Sequence, residues 1–173
     1  MARLFYVILA FLTLAAPVFA QEDLQTIGQI EAAFDGETLS QTTVSYLAEG
    51  KREGTASLMT TSGYTSLSIY AAEGGPISIE VMYSTTATPD QNSRPIDVTI
   101  SYFPSGLAPY WTSEDAPEPA QIVFELLDTA TDEPYARGTF EAVLCRVAQL
   151  GDEADIDNCK PISGRFDTGL ILD

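Results

Sequence analysis

The chain has 173 residues, a formal net charge of −17 and no histidine. A field of that sign disfavours binding to nucleic acid or to an anionic membrane surface, because both are themselves negatively charged. The missing histidine removes the commonest general base, the usual Ser-His-Asp triad and most zinc sites. Composition therefore argues against several classes of function without selecting one.

Residues 1–20 have the features of a secretory signal peptide. Arg3 precedes an apolar run at residues 4–16, and residues 18–20 (VFA) form a cleavage pattern. The apolar run is shorter than the roughly 20 residues that a membrane-spanning helix needs. We expect cleavage after this segment, leaving residues 21–173 as a single exported domain, periplasmic or secreted, without a membrane span.

Nine stretches of the remaining chain have the composition of β-strands, several with the alternation that gives one solvent-exposed face. They lie at residues 27–34, 38–47, 55–61, 64–71, 77–83, 96–102, 122–127, 135–147 and 161–172. Asp35-Gly36 is a tight-turn signal between the first two. The nearly continuous apolar run at 122–127 is typical of a central strand, and residues 104–119 read as a long irregular connection. Without a helical crossover, the pattern predicts an all-β domain, an antiparallel β-sandwich or flattened barrel of about nine strands.

The only two cysteines, Cys145 and Cys159, lie in the last two predicted strands. In an exported chain such a pair predicts one disulfide bond, here stapling a C-terminal hairpin. It would close a loop of about 15 residues and contribute on the order of 3 kcal/mol. A directly opposed disulfide suits a non-hydrogen-bonded pair. Pro161, two residues away, then also lies at a non-hydrogen-bonded position, where its missing N–H is not needed. Pairing on the other side of the last strand should stop at that proline.

The same register places complementary residues opposite each other along the hairpin. Each interior glycine receives an aromatic ring from the partner strand. The opposed pairs are Phe140 with Gly164, Gly138 with Phe166, and Ala142 with Ile162. The cations would pair with carboxylates, Arg137 with Asp167 and Arg165 diagonally with Glu141. Together with Arg146 they could instead form an anion site.

Two parts of the sequence carry a family resemblance. The closing motifs GTFEA (138–142) and ISGRFD (162–167), with the opening motif IEAAFDGE (30–37), resemble the first and last strands of small exported bacterial β-domain proteins of uncharacterised function. The resemblance is limited to these strands. It implies the fold class and export, and it brings no functional residue with it.

The tip of the closing hairpin is acidic, with Asp152, Glu153, Asp155, Asp157 and Asn158 close together. Oxygen ligands at this spacing could hold Ca²⁺, the only cofactor that the sequence suggests. The pattern lacks the glycine and the final glutamate of an EF-hand loop. The alternative interpretation is a solvated tip whose charges oppose edge-to-edge aggregation.

Residues 103–111 hold three aromatic side chains, Phe103, Tyr110 and Trp111, on a Pro/Gly loop. Aromatic rings on such a loop could form a platform for a sugar, a peptide or a partner protein. The alternative is that they plug the open end of the β-sandwich.

These observations favour a non-enzymatic binding or interaction module with an unknown protein or small ligand as its partner. A Ca²⁺-stabilised surface domain and a carboxylate-based hydrolase are the alternatives. Among 25 Asp and Glu residues, some pair lies at a hydrolase-like separation by chance, so the sequence nominates no catalytic residue.

Overall fold

The computed structural model describes residues 23–72, 75–84 and 88–172. The predicted signal peptide, residues 1–20, lies outside this part of the chain. The described residues form an all-β structure of twelve strands. They include no helix that is long and apolar enough to cross a membrane.

The strands are β1 Gln25–Phe34, β2 Glu37–Ala48, β3 Lys51–Gly54, β4 Ala56–Thr60, β5 Thr65–Tyr70, β6 Ile77–Tyr83, β7 Asp97–Tyr102, β8 Tyr110–Thr112, β9 Gln121–Asp128, β10 Tyr135–Val147, β11 Asp155–Gly169 and β12 Ile171–Leu172. The predicted set of nine lacks β3, β8 and β12 as separate strands. Each of these has only two to four residues. Such lengths are too short for an alternating pattern to be recognised.

All twelve strands belong to one hydrogen-bonded sheet that is not closed. Its order is β12-β4-β5-β6-β7-β8-β10-β11-β1-β2-β3, and β9 pairs with β10 outside this path. Pairing is antiparallel except between β12 and β4. The strands β10 and β11 lie in the interior of the order.

The disulfide between Cys145 and Cys159 is present, and the predicted register of the closing hairpin is confirmed from Tyr135 to the disulfide. The two half-cystines are directly opposed, with Cα atoms 4.0 Å apart. On the far side of β11, the ladder with β1 ends at the pair of Phe34 and Ile162, next to Pro161. This is the limit expected for a residue without an N–H group.

The predicted aromatic cover over the strand glycines is also confirmed. A Cβ atom added at Gly164 would lie 2.5 Å from Cζ of Phe140, and one at Gly138 would lie 2.8 Å from Cζ of Phe166. The rings occupy the space that side chains would otherwise fill. The hairpin therefore requires glycine at both positions.

The predicted partner of Arg165 was wrong. Its Nη2 lies 2.6 Å from Oε2 of Glu31 on β1, so the guanidinium pairs across the other side of β11 and not with Glu141. Glu31 is directly opposite Arg165 in the ladder, whereas the diagonal neighbour is farther away. The other predicted pair is confirmed, with Arg137 Nε 3.0 Å from Oδ2 of Asp167.

Two tight turns set the first three strands in register. Asp35 and Gly36 have φ values of 52° and 83°, and Glu49 and Gly50 have 52° and 81°. Positive φ at both central residues is the mark of a type I′ hairpin turn. The second turn takes only two residues, so β3 begins directly after it at Lys51.

The strand β9 lies at an edge, and its prediction as a central strand was wrong. Within the described part of the chain it pairs only with β10. Its apolar residues face both ways: Leu127 is buried, whereas Val123 is 62% exposed. The continuous apolar run of β9 therefore does not mean burial on both faces: one face of the strand packs inward and the other is apolar but exposed.

The apolar core is a single cluster that draws on both halves of the strand order. The ring of Phe34 on β1 lies 4.8 Å from that of Tyr102 on β7 and 5.4 Å from that of Trp111 on β8. Strands that are distant in the sheet therefore meet across the core.

Tyr83 on β6 is buried, and its hydroxyl has no hydrogen-bond partner among the described residues. Burial raises the pKa of Tyr83 well above its ordinary value, with a smaller contribution from Asp90. An unfolded tyrosine ionises near pH 10, below the folded value. The stability linked to this shift is therefore fully present below about pH 10 and is lost as the pH rises further.

We expect Tyr83→Phe to leave the free energy of unfolding at pH 7 unchanged or to raise it by about 1 kcal/mol, because an unpaired buried hydroxyl is costly. The decline in stability above about pH 10 should become shallower. Urea unfolding at pH 7 and above about pH 10 measures the free energy of unfolding of this variant, and Tyr70→Phe, at an exposed tyrosine, is the control. A clear loss of stability at pH 7 in Tyr83→Phe alone would show that the hydroxyl has a partner.

Candidate binding site at the loop end

The aromatic loop and the acidic hairpin tip lie at the same end of the sheet. On β8, Tyr110 pairs with Val147 of β10, and the two strands are antiparallel. Residues 103–109 precede β8 and residues 148–154 follow β10, so both segments extend beyond the same end of the sheet. We call residues 103–110 and 148–157 together the loop end.

Phe103 and Tyr110 form a stacked pair on the outer face of the sheet. Their ring centroids are 5.1 Å apart and their planes differ by 18°. The backbone holds this pair in place, because Phe103 N–H donates to the carbonyl oxygen of Pro76 at 2.7 Å. Leu107, between the two rings in sequence, is 70% exposed. Gly106, with φ of 96°, allows the chain to turn there.

Trp111 lies on the opposite face from these two rings, because successive side chains of a strand alternate. It is partly buried and packs against the core, edge-on to Phe34. Lys160 lies over the indole ring at 5.1 Å from its centroid and also pairs with Asp35. The predicted platform is thus divided: Phe103 and Tyr110 are half-buried on one face of the sheet, and Trp111, also half-buried, packs against the core on the other.

The acidic tip does not form a regular hairpin. Arg146 is opposite Asp155, whereas Cys145 is opposite Cys159, so three extra residues bulge from β11. The N–H of Asp157 donates to Oδ1 of Asp155 at 3.2 Å. Much of each carboxylate in this segment remains exposed to solvent.

The predicted calcium ligands Asp152, Asp155 and Asp157 are not gathered around a common point. In the described part of the chain, no three His, Cys, Asp or Glu side chains are grouped so that they could hold a metal ion. The calcium site remains a prediction from the sequence.

Two exposed apolar side chains at the tip were not singled out from the sequence. Leu150 is 72% exposed and Ile156 is 62% exposed. Each stands alone among polar residues, a pattern that also fits an ordinary loop. Only the pairing of β8 with β10, which places them at the same end as Leu107, gives them significance.

Two cations of the closing hairpin, Arg137 and Arg165, lie on its outer face beside carboxylates, whereas Arg146 is opposite Trp111 in the ladder with β8. Arg137 pairs with Asp167, which also accepts a hydrogen bond from the hydroxyl of Tyr135. This bond and partial burial raise the pKa of Tyr135. Arg165 pairs with Glu31. An anion site needs cations whose charge is not already balanced, so these pairs favour the structural interpretation of both arginines.

The outer face also has a hollow of about 570 Å³ that brings Glu31 and Glu141 to its lining. These are the kind of carboxylates that a hydrolase would use. Glu31 is already paired with Arg165, and small side chains such as Ala33 and Ser163 also line the hollow. The hollow therefore offers hydrogen-bonding groups, and one of its two carboxylates is held in an ion pair.

No protein-family model, curated protein or solved structure matches this chain. The function is therefore inferred from the residues of the chain itself.

Proposed function

We propose that the chain is an exported, non-enzymatic binding domain whose loop end contacts a partner protein. The supporting observation is the exposure of Leu107, Leu150 and Ile156 at one end of the sheet, beside the stacked rings of Phe103 and Tyr110. Exposed apolar side chains that gather on loops of a rigid scaffold are characteristic of contact surfaces.

The charge around these side chains indicates the kind of partner. Asp152, Glu153, Asp155 and Asp157 all lie in the tip, within a chain of net charge −17. Interfaces commonly combine an apolar centre with a polar rim of complementary charge. We therefore propose a partner with an apolar pocket and a basic rim.

The finer architecture and the compartment belong to the same proposal. The contacts of Phe34 with Tyr102 and Trp111 support a sheet folded on itself as a flattened β-sandwich. An intramolecular disulfide is typical of an oxidising, exported compartment. With the signal-peptide pattern of residues 1–20, it supports a periplasmic or secreted protein.

We expect the double variant Leu107→Asp, Leu150→Asp to lose its partner while keeping its melting temperature, because both side chains are exposed. The partner is first captured from the exported fraction of the source cells, and its affinity is then measured by surface plasmon resonance. Burial of apolar side chains at an interface suggests a loss of about 10- to 100-fold. The control is Val123→Asp, a similarly exposed residue outside the loop end. Equal binding by both variants would contradict the proposal.

A further inference from the structure

The sheet divides where β8 ends and β9 begins. Both strands pair with the same edge of β10, one beyond the other. The neighbouring strand β7 pairs with β8 and not with β9. A cavity of about 880 Å³ opens at this fork, between residues 94–99 on one side and residues 113–117 and 119–122 on the other.

Beyond Ile100, the edge of β7 that faces the fork is not paired with another strand among the described residues. Ile100 exchanges two hydrogen bonds of 2.9 Å with Ser113, one through the serine N–H and one through its Oγ, so its backbone points away from β6. In an antiparallel ladder the residue two positions earlier points the same way. That residue, Val98, lines the cavity, and in the described part of the chain no strand pairs with it on this side of β7.

The edge of β9 offers a second set of such groups. The disulfide-linked residues are 4.0 Å apart at Cα, the spacing of a non-hydrogen-bonded pair. Because the register is regular from there to Glu141, four residues away, the backbone of Glu141 points to its partner Gln121 on β9. The next residue of β9, Ile122, lines the cavity, and its N–H and C=O then point away from β10 toward the fork.

The walls of the cavity are acidic. Asp97, Glu114 and Asp115 line it with exposed side chains, against one cation, Arg94. Two unpaired strand edges recruit an extended chain by backbone hydrogen bonding, and the carboxylates select its charge. We propose that the fork binds an extended basic peptide segment, which adds a strand between β7 and β9. A second copy of this acidic chain is disfavoured by like-charge repulsion.

The fork shares no residue with the loop end. A failure of peptide binding at the fork would therefore leave the proposed function of the loop end untouched. The probe is a synthetic nine-residue peptide that alternates lysine and valine, titrated by fluorescence anisotropy. We expect it to bind at low ionic strength and to weaken as salt is added. The same peptide with glutamate in place of lysine should not bind. Equal binding of the two peptides, or no binding of the lysine peptide, would overturn the proposal.

Backbone hydrogen bonding between the fork and the peptide is tested by changing the protein and, separately, the peptide. Val98→Pro removes the N–H that faces the fork while sparing the ladder with β6. We expect it to weaken binding about 5- to 10-fold, the effect of one or two hydrogen bonds. The control Val98→Ala keeps the N–H and should change affinity less. N-methylation of alternate peptide residues, tested on the unaltered protein, should abolish binding; methylated peptide that binds unchanged would overturn the strand-addition geometry.

The site itself is checked by charge. Asp97→Asn with Asp115→Asn should weaken the lysine peptide at least fivefold, whereas Asp152→Asn at the loop end should not. If the Asp97/Asp115 variant binds as tightly as the unaltered protein, the peptide lies elsewhere. Analytical ultracentrifugation tests for a dimer of the protein. If a dimer forms and Val98→Pro dissociates it, the fork binds a second copy of the chain instead of a basic peptide.

Discussion

Replacing both Cys145 and Cys159 with alanine is expected to lower the free energy of unfolding by about 3 kcal/mol. The bond joins residues 14 apart in sequence, and closing such a loop restricts the unfolded chain. Cys145 also pairs with Thr112 of β8, so the disulfide lies in the interior of the strand order. For a chain of this size, we expect the melting temperature to fall by about 10 °C.

Urea unfolding of the unaltered protein with and without dithiothreitol measures the same quantity. The reduced protein and the double alanine variant should have similar midpoints, and dithiothreitol should not affect the variant. A difference below about 1 kcal/mol would mean that the cross-strand pairs hold the hairpin without the disulfide.

The second large effect is expected for Gly164→Ala. The added Cβ atom would lie 2.4 Å from the carbonyl oxygen of Glu31 and 2.5 Å from the ring of Phe140. The backbone carbonyl belongs to the ladder with β1 and has little freedom to move. We expect a loss of about 3 kcal/mol, at the upper end of the usual cost of overpacking.

The matched control is Gly63→Ala, where the added atom would meet nothing within 4 Å. Its free energy of unfolding should stay within about 0.5 kcal/mol of the unaltered protein. The combination of Gly164→Ala with Phe140→Leu should recover part of the loss if the ring is the main obstacle. If Gly164→Ala is as stable as Gly63→Ala, the Phe140 ring and the β1 backbone can move to accommodate the added methyl group at little cost.

Local patterns in the sequence were sufficient for the long strands. Alternation marked β6 and β7, and the Asp35-Gly36 turn set the pairing of β1 with β2. The two cysteines and the glycine-aromatic pairs together defined the register of β10 with β11, because several independent pairs must be satisfied at once. The partner of Arg165 was misassigned because the sequence shows one neighbouring strand of β11, whereas the sheet provides two.

The candidate site was only partly visible in the sequence. Phe103, Tyr110 and Trp111 were recognised as a group, but the alternation of side chains separates Trp111 from the other two. That alternation depends on β8, a strand of three residues that exists because β7 and β10 flank it. Such a short strand has too little pattern of its own to be predicted.

The sequence by itself determined the all-β class, the disulfide and the register of the closing hairpin, since these follow from pairs of residues and from turns that are local in the chain. The tertiary structure alone decided which strands became neighbours. It placed the loop of Leu107 beside the tip of Leu150 and left a fork between β7 and β9. The physical reason is that an edge or a shared end arises from long-range strand pairing, which leaves little trace in the residues of either segment.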